Sequence, residues 1–190
     1  MISELKRRLE GRRRRVLARP RAASVLVPLV EDGGEFGLVL TRRSEDLPTH
    51  KGQVAFPGGH VDPADAGPVA AALREAQEEI GLPPDRVEVL GLLDDFPTRH
   101  DDTAVTPVVG WIPELPPLRP EPGEVARIFR IPLAALARPE AWRSQMVRHG
   151  GRSYPLYFFE WDGELLWGLS AYITLALLAE TPLGPPFPLP

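Results

Sequence analysis

Apolar runs separated by turn residues divide the chain into short strands. The runs at 24–30 and 36–41 flank a Gly-rich turn and predict an antiparallel hairpin, because such turns join paired strands. A Pro-rich stretch at 113–123 predicts an extended connection without a helix. Further strands are predicted at 86–96, 103–112, 125–131, 146–149, 154–161 and 165–167.

Helical spacing is clearest at 68–80, where Pro68 suits a first helical position and Gly81 suits the left-handed turn that ends a helix. Shorter signals predict a helix opening at 132–136 and a final helix at 171–180 with Ser170 as its N-cap. The apolar stripe of the 68–80 helix predicts a core face of Val69, Leu73, Ala76 and Ile80. The opposite face is acidic and predicted to meet solvent, with Glu75, Glu78 and Glu79.

Three carboxylates on one arc of a helix indicate a cation site. Two carboxylates about 5 Å apart repel each other by about 3 kcal/mol at an effective dielectric constant near 20. Arg74 is spaced to reach Glu78, but one guanidinium cannot neutralise three acids. Because the ligands are oxygens and the chain contains no Cys, the pattern favours Mg²⁺ or Mn²⁺ over Zn²⁺. A solvated acidic surface is the alternative, and the surrounding motif decides against it.

The run Arg74-Glu75-Ala76-Gln77-Glu78-Glu79-Ile80-Gly81-Leu82, preceded by Gly58-Gly59, resembles the Nudix box of the Nudix hydrolases. The family pattern places a glutamate eight residues before the arginine. Here the nearest acid is Asp65, nine residues before Arg74. In the family this first acid mainly supports the arginine, so the departure concerns the loop rather than the metal ligands.

The resemblance implies an α/β (α+β) fold, a Nudix-type α/β/α sandwich around a mixed sheet, and a pyrophosphohydrolase that uses Mg²⁺ or Mn²⁺. It implies that the metal ligands are Glu75, Glu78, Glu79 and the carbonyl of Gly58. It places Arg74 and Glu75 in the catalytic machinery. Glu78 or Glu124, on a later loop, is the general base, and the sequence leaves that choice open.

A second resemblance concerns the segment before the box, which is similar to the extra motif of the coenzyme A pyrophosphatase branch. It includes Leu40-Thr41, Arg43-Ser44, Gly52 and Phe56-Pro57-Gly58-Gly59. The expected reaction is cleavage of coenzyme A or acyl-coenzyme A into 3′,5′-ADP and 4′-phosphopantetheine. ADP-ribose, dinucleotides and nucleoside triphosphates are the alternative substrates. The expected substrate-binding residues are Arg42, Arg43, His50 and Arg99.

Charge divides the chain unevenly. Residues 1–21 carry nine basic residues and two acids, a formal +7 that leaves −11 on the rest of a chain with net charge −4. An amphipathic helix docked on an acidic body explains this asymmetry, and the alternative is an Arg-rich nucleic-acid arm on a catalytically inactive binding module. The sequence therefore predicts a basic helical segment at 1–21, a Nudix hydrolase domain at 22–180 and a Pro-rich tail at 181–190.

The expected partner is a small nucleotide substrate, with no nucleic acid and no membrane. No apolar run is long enough to span a bilayer, and the N-terminus lacks a signal-peptide pattern, so a cytoplasmic protein is expected. A homodimer is possible, because members of the family are often dimers.

Overall fold

The computed structural model describes residues 1–98 and 102–187, except for the side chains of His149 and Arg152. The helices are α1 (Ile2–Gly11), α2 (Pro68–Ile80), α3 (Leu133–Leu136) and α4 (Gly168–Glu180). The strands are β1 (Arg21–Asp32), β2 (Glu35–Arg43), β3 (Val54–Ala55), β4 (Gly58–His60), β5 (Glu88–Leu92), β6 (Phe96–Pro97), β7 (Thr103–Ile112), β8 (Val125–Pro132), β9 (Trp142–His149), β10 (Arg152–Trp161) and β11 (Glu164–Trp167).

Eight of these strands form one mixed sheet. Its main path runs β3-β2-β1-β7-β5, while β4 pairs with β1, β6 with β7 and β8 with β2. β1 and β7 run parallel over ten residue pairs, and the predicted β1–β2 hairpin is antiparallel. Strands β9 to β11 form a separate antiparallel sheet in the order β11-β10-β9.

The core lies on both faces of the large sheet, because alternate residues of a strand point to opposite faces. Leu26 of β1 and Val39 of β2 pack with the apolar stripe of α2. Val27 of β1 and Leu38 of β2 pack on the other face, with residues of α1, α4 and the small sheet. The mixed sheet between helices confirms the predicted fold class.

Two local predictions about elements are wrong. Ser170 does not cap α4, since the helix already begins at Gly168 and the Ser170 hydroxyl donates to the carbonyl of Val54 at 3.2 Å. The single strand expected at 86–96 is two strands, β5 and β6, and between them the N–H of Asp95 donates to the carbonyl of Arg15 at 2.9 Å instead of to β7.

The N-terminal helix is shorter than the predicted segment 1–21, because α1 ends at Gly11 and residues 12–20 form neither helix nor strand. Basic side chains of this region pair with acids of the body. Arg12 contacts Asp94 at 2.6 Å, and Arg14 contacts the buried Asp95 at 2.5 Å. The N-terminal residues are therefore part of the folded body in this structure.

At the other end of the chain, Phe187 stacks on Tyr157 with ring centroids 4.9 Å apart. Within the described residues, no helix combines the length and the apolar character needed to cross a membrane.

Candidate active site

The three glutamates of α2 differ sharply in exposure. The side chain of Glu78 is 58% exposed, that of Glu75 is 16% exposed and that of Glu79 only 4%. The prediction that all three face solvent is therefore wrong for Glu79. Its carboxylate is covered because β4 lies beside this turn of α2, and the backbone N–H of Gly58 donates to it at 3.3 Å.

Arg74 connects Asp65, on the loop before α2, to Glu75 and Glu78 of the helix. Its guanidinium donates to both carboxylate oxygens of Asp65, at 3.2 and 3.0 Å, and to the carbonyl of His60 at 3.1 Å. One nitrogen, Nη1, also donates to Glu75 at 2.9 Å and to Glu78 at 3.0 Å. The hydrogen bond from Arg74 holds the pKa of Asp65 below its usual range. The acid displaced by one residue in the sequence thus still supports the arginine.

The two glycines of β4 allow this close approach. A Cβ atom on Gly59 would lie 2.4 Å from Oε1 of Glu75, and one on Gly58 would lie 2.3 Å from the backbone oxygen of Ser24. A larger residue at either position would displace the strand or the carboxylate. Gly59 therefore sets the distance between the backbone of β4 and Glu75 of α2, while Gly58 sets the distance between β4 and β1.

Burial dominates the electrostatics of Glu79. It raises the pKa of this carboxyl to about 7, against the opposing effects of Arg43 and the Gly58 N–H and with a further contribution from the charges of Glu75 and Glu124. Burial likewise raises the pKa of Glu75, although Arg74 opposes the shift. At both carboxyls the effect of burial on the pKa therefore outweighs that of the nearby guanidinium charge.

The two predicted substrate-binding arginines of β2 lie on opposite faces of the sheet. Arg43 faces α2, with Nη1 3.8 Å from Oε1 of Glu79. Arg42 faces the small sheet, with Nη1 3.5 Å from the buried carboxylate of Glu164. Neighbouring strand residues alternate between faces, so the structure brings only Arg43 to the glutamates of α2.

Glu124 lies at the site through the turn that precedes β8. Its backbone carbonyl accepts the N–H of Ser44 at 2.8 Å, so the turn is joined to the end of β2. Its side chain is exposed, and its charge contributes to the raised pKa of both Glu75 and Glu79. The structure therefore brings the predicted loop glutamate to the box.

The third predicted substrate-binding residue, His50, contacts Gln53 rather than the acidic cluster. His50 is exposed on the loop after β2, in left-handed backbone conformation with φ of 56°, and its Nδ1 lies 3.0 Å from the side-chain oxygen of Gln53. Arg99 lies outside the described residues.

The sequence did not predict that the backbone N–H of Ser44 donates to Glu124. A motif of side chains carries no signal for such a backbone contact. Sequence reasoning also missed the contact of Gly59 with Glu75, although the Gly-Gly pair was a signal for close backbone approach.

The donor set fits a hard divalent cation. Around the site, Asp65, Glu124 and the three box glutamates face two guanidinium groups, those of Arg74 and Arg43, and the acids are therefore in excess. Carboxylate oxygens are the ligands that Mg²⁺ and Mn²⁺ prefer. Within residues 1–98 and 102–187, no three acidic or histidine side chains converge as a ready metal cage. Arg74 Nη1 donates to both Glu75 and Glu78. Binding of a cation by these two carboxylates would therefore require their side chains to rotate.

Comparison with known proteins adds an independent observation. A family model of the NUDIX domain matches residues 19–149, which is more than half of the chain. The chain belongs to the Nudix family. Two proteins named "uncharacterized Nudix hydrolase NudL" are similar along most of their length. One from Photorhabdus laumondii is 41% identical over 80% of this chain and 81% of the relative, and one from Escherichia coli K12 is 41% identical over 87% and 85%.

Solved structures support the Nudix fold. A MutT/nudix family protein from Enterococcus faecalis superposes with a TM-score of 0.52 at 17% identity, covering 93% of this chain and 68% of that one. A C. elegans Ap4A hydrolase superposes with a TM-score of 0.51 at 20% identity, covering 60% and 81%. Membership of the Nudix hydrolases confirms the predicted enzyme class, a pyrophosphohydrolase acting on nucleoside diphosphate derivatives.

Proposed function

We propose that this Nudix hydrolase cleaves the diphosphate of coenzyme A or acyl-coenzyme A, giving 3′,5′-ADP and the 4′-phosphopantetheine portion. The observation that carries the proposal is the position of Arg43. This residue of the coenzyme A-type motif lies 3.8 Å from Glu79 of the Nudix box, so the two motifs share one surface.

Hydrogen bonds between the two ends of the coenzyme A-type motif support the proposal. The Thr41 hydroxyl donates to the carbonyl of Ala55 at 3.1 Å, and the backbone N–H of Arg43 donates to the carbonyl of Gln53 at 3.0 Å. The loop between them therefore closes onto β3, directly before Phe56-Pro57-Gly58-Gly59. A substrate bound at the glutamates of α2 would then lie within reach of Arg43.

The residues that would hold Mg²⁺ or Mn²⁺ are Glu75, Glu78, Glu79 and the carbonyl of Gly58. When bound, the metal neutralises the diphosphate and lowers the pKa of a water molecule that attacks phosphorus. The chain supplies the positioning. Asp65 orients Arg74, Arg74 holds Glu75 and Glu78 together, and either Glu78 or Glu124 accepts the proton of the attacking water.

The 3′-phosphate of coenzyme A gives an arginine a second group to recognise. A planar guanidinium can bind a phosphate with two hydrogen bonds, so a substrate without this group would leave a charge partly unpaired. We therefore expect dephospho-coenzyme A to have a lower kcat/KM than coenzyme A, and Arg43→Ala to narrow that gap. Arg42→Ala is the matched comparison, because Arg42 lies on the other face of the same strand.

The experiment measures phosphate-containing products from coenzyme A, dephospho-coenzyme A, ADP-ribose, NADH and nucleoside triphosphates, each with Mg²⁺ and with Mn²⁺. Preference for coenzyme A supports the proposal. Equal kcat/KM for coenzyme A and its dephospho form would remove the 3′-phosphate argument. A clear preference for ADP-ribose would refute the substrate while leaving the hydrolase class intact. If Arg43→Ala lowers kcat/KM equally for coenzyme A and dephospho-coenzyme A, Arg43 acts instead on the diphosphate or on Glu79.

A further inference from the structure

The connector between β7 and β8 completes the C-terminal end of α2. Gly81 ends this helix in left-handed conformation, and its N–H donates to the carbonyl of Gln77 at 3.0 Å. The carbonyls of Glu79 and Ile80 accept hydrogen bonds from elsewhere, at 2.8 Å from the N–H of Glu121 and at 3.0 Å from the N–H of Arg119. The connector thus binds the turn of α2 that carries the buried carboxylate.

Prolines alternate with these two donors along the connector. Pro120 and Pro122 flank Glu121 and carry no N–H, so the positions without a partner on α2 have no donor to satisfy. Their fixed φ also lowers the conformational entropy lost when the segment docks. Leu118 and Val125 pack against the α2 side of the core at the two ends of the segment. The connector is therefore anchored by its donors and by its apolar ends.

A tight turn then carries the chain from the connector to Glu124. The N–H groups of Glu124 and Val125 donate to the carbonyl of Glu121 at 3.0 and 2.8 Å. The carbonyl of Glu124 accepts the N–H of Ser44, next to Arg43, which in turn faces Glu79. These contacts form a closed path through α2, the connector and the end of β2. Glu124 is fixed from both sides although its own side chain is exposed.

We propose that residues 118–123 are a positioning element that holds Glu124 beside the turn of α2 that carries the buried Glu79. The connector contributes to turnover through Glu124 and not through the stability of the fold. This inference rests on the proposed role of Glu124 in the reaction but is independent of which nucleotide is the substrate.

The test loosens the connector with the double variant Pro120→Gly/Pro122→Gly. The matched control is Pro116→Gly/Pro117→Gly, which changes two prolines of the same connector before its contacts with α2. Rates are measured on whichever panel compound the wild type hydrolyses best, as ratios to the wild type on that compound. We expect kcat to fall about fivefold or more in the first variant, with KM changed less than about twofold, and the control to keep the wild-type rate.

Two further measurements separate positioning from a merely structural effect. In a Glu124→Gln background the loss caused by Pro120→Gly/Pro122→Gly should shrink to less than about twofold, because its target is already removed. Hydrogen exchange should show protected amides at Arg119 and Glu121 in the wild type and lost protection in this variant. The proposal would be overturned by any of three results: the same fold loss of kcat in the Glu124→Gln background, an equal loss of kcat in the control variant, or unprotected amides at Arg119 and Glu121 in the wild type. If no panel compound is hydrolysed, the proposed function fails, while the exchange measurement still tests the connector.

Discussion

Replacing Glu79 by Gln should stabilise the metal-free protein at neutral pH while it abolishes turnover. Glu79 is 4% exposed, and burial raises its pKa to about 7, so the folded state resists ionising this carboxyl. Gln has nearly the same shape, keeps an acceptor for the N–H of Gly58 and carries no charge. The variant therefore removes the electrostatic cost but also the proposed metal ligand.

The sign and size of the effect follow from proton linkage. Between the ordinary carboxyl pKa of 4.5 and the folded value of about 7, the folded state binds more protons than the unfolded state. The free energy of unfolding therefore decreases as the pH rises through this window, and the full cost is present above it. A shift of this size corresponds to about 3 kcal/mol. Loss of the partner of Arg43 reduces the gain, so we expect the variant to be more stable by about 1 to 3 kcal/mol at pH 8.

Urea unfolding with EDTA at pH 4.5, 6 and 8 measures this difference, and phosphate release with Mg²⁺ measures turnover. Glu78→Gln is the matched control, since it removes the same group one residue away on an exposed side chain. Its stability should stay within about 0.5 kcal/mol of the wild type. Both variants should retain less than about a tenth of the wild-type rate. A Glu79→Gln protein that is less stable than the wild type at pH 8, or a difference that does not grow with pH, would refute the reasoning.

Four further predictions concern the box and the N-terminal segment. Gly59→Ala places a methyl group 2.4 Å from Glu75, so kcat should fall without unfolding, whereas Gly11→Ala, with open space around the new methyl, should keep the wild-type rate. Asp65→Asn loses the ionic support of Arg74 and should lower kcat/KM, and a wild-type value would contradict the assigned role of Asp65. Arg14→Ala leaves the buried Asp95 without its cation and should lower the free energy of unfolding by about 3 kcal/mol with kcat unchanged. Deleting residues 1–21 should likewise cost stability before chemistry, and DNA binding with a steep salt dependence that is lost on deletion would favour the nucleic-acid arm instead.

Features set by local sequence could be predicted well. The helix Pro68–Ile80 has the bounds that its Pro and Gly signals indicate, and the hairpin of β1 and β2 follows from its Gly-rich turn. The fixed spacing of the box brings Arg74 one turn from Glu78, and the structure has this contact at 3.0 Å. In each case the deciding interactions lie within a few residues along the chain.

Features set by distant segments could not be predicted in the same way. Helical periodicity places Glu79 on a polar face, but the Gly58 N–H of β4 and the Arg43 guanidinium of β2 lie against its carboxylate, which is buried. Arg42 and Arg43 are equivalent as charges in a loop-like sequence. They become different only because β2 continues to Arg43 and alternate strand residues point to opposite faces.

Asp65 shows how a departure from a sequence pattern can preserve a side-chain contact. An aspartate side chain is one methylene shorter than a glutamate, and the spacing to Arg74 is one residue longer than in the family pattern. In the folded loop the Asp65 carboxylate accepts the backbone N–H of Asp62 at 2.9 Å and still binds the guanidinium through both oxygens. The extra residue thus brings the shorter acid to the position that Arg74 requires. The ionic contact, rather than the spacing in sequence, is what holds the arginine beside Glu75 and Glu78.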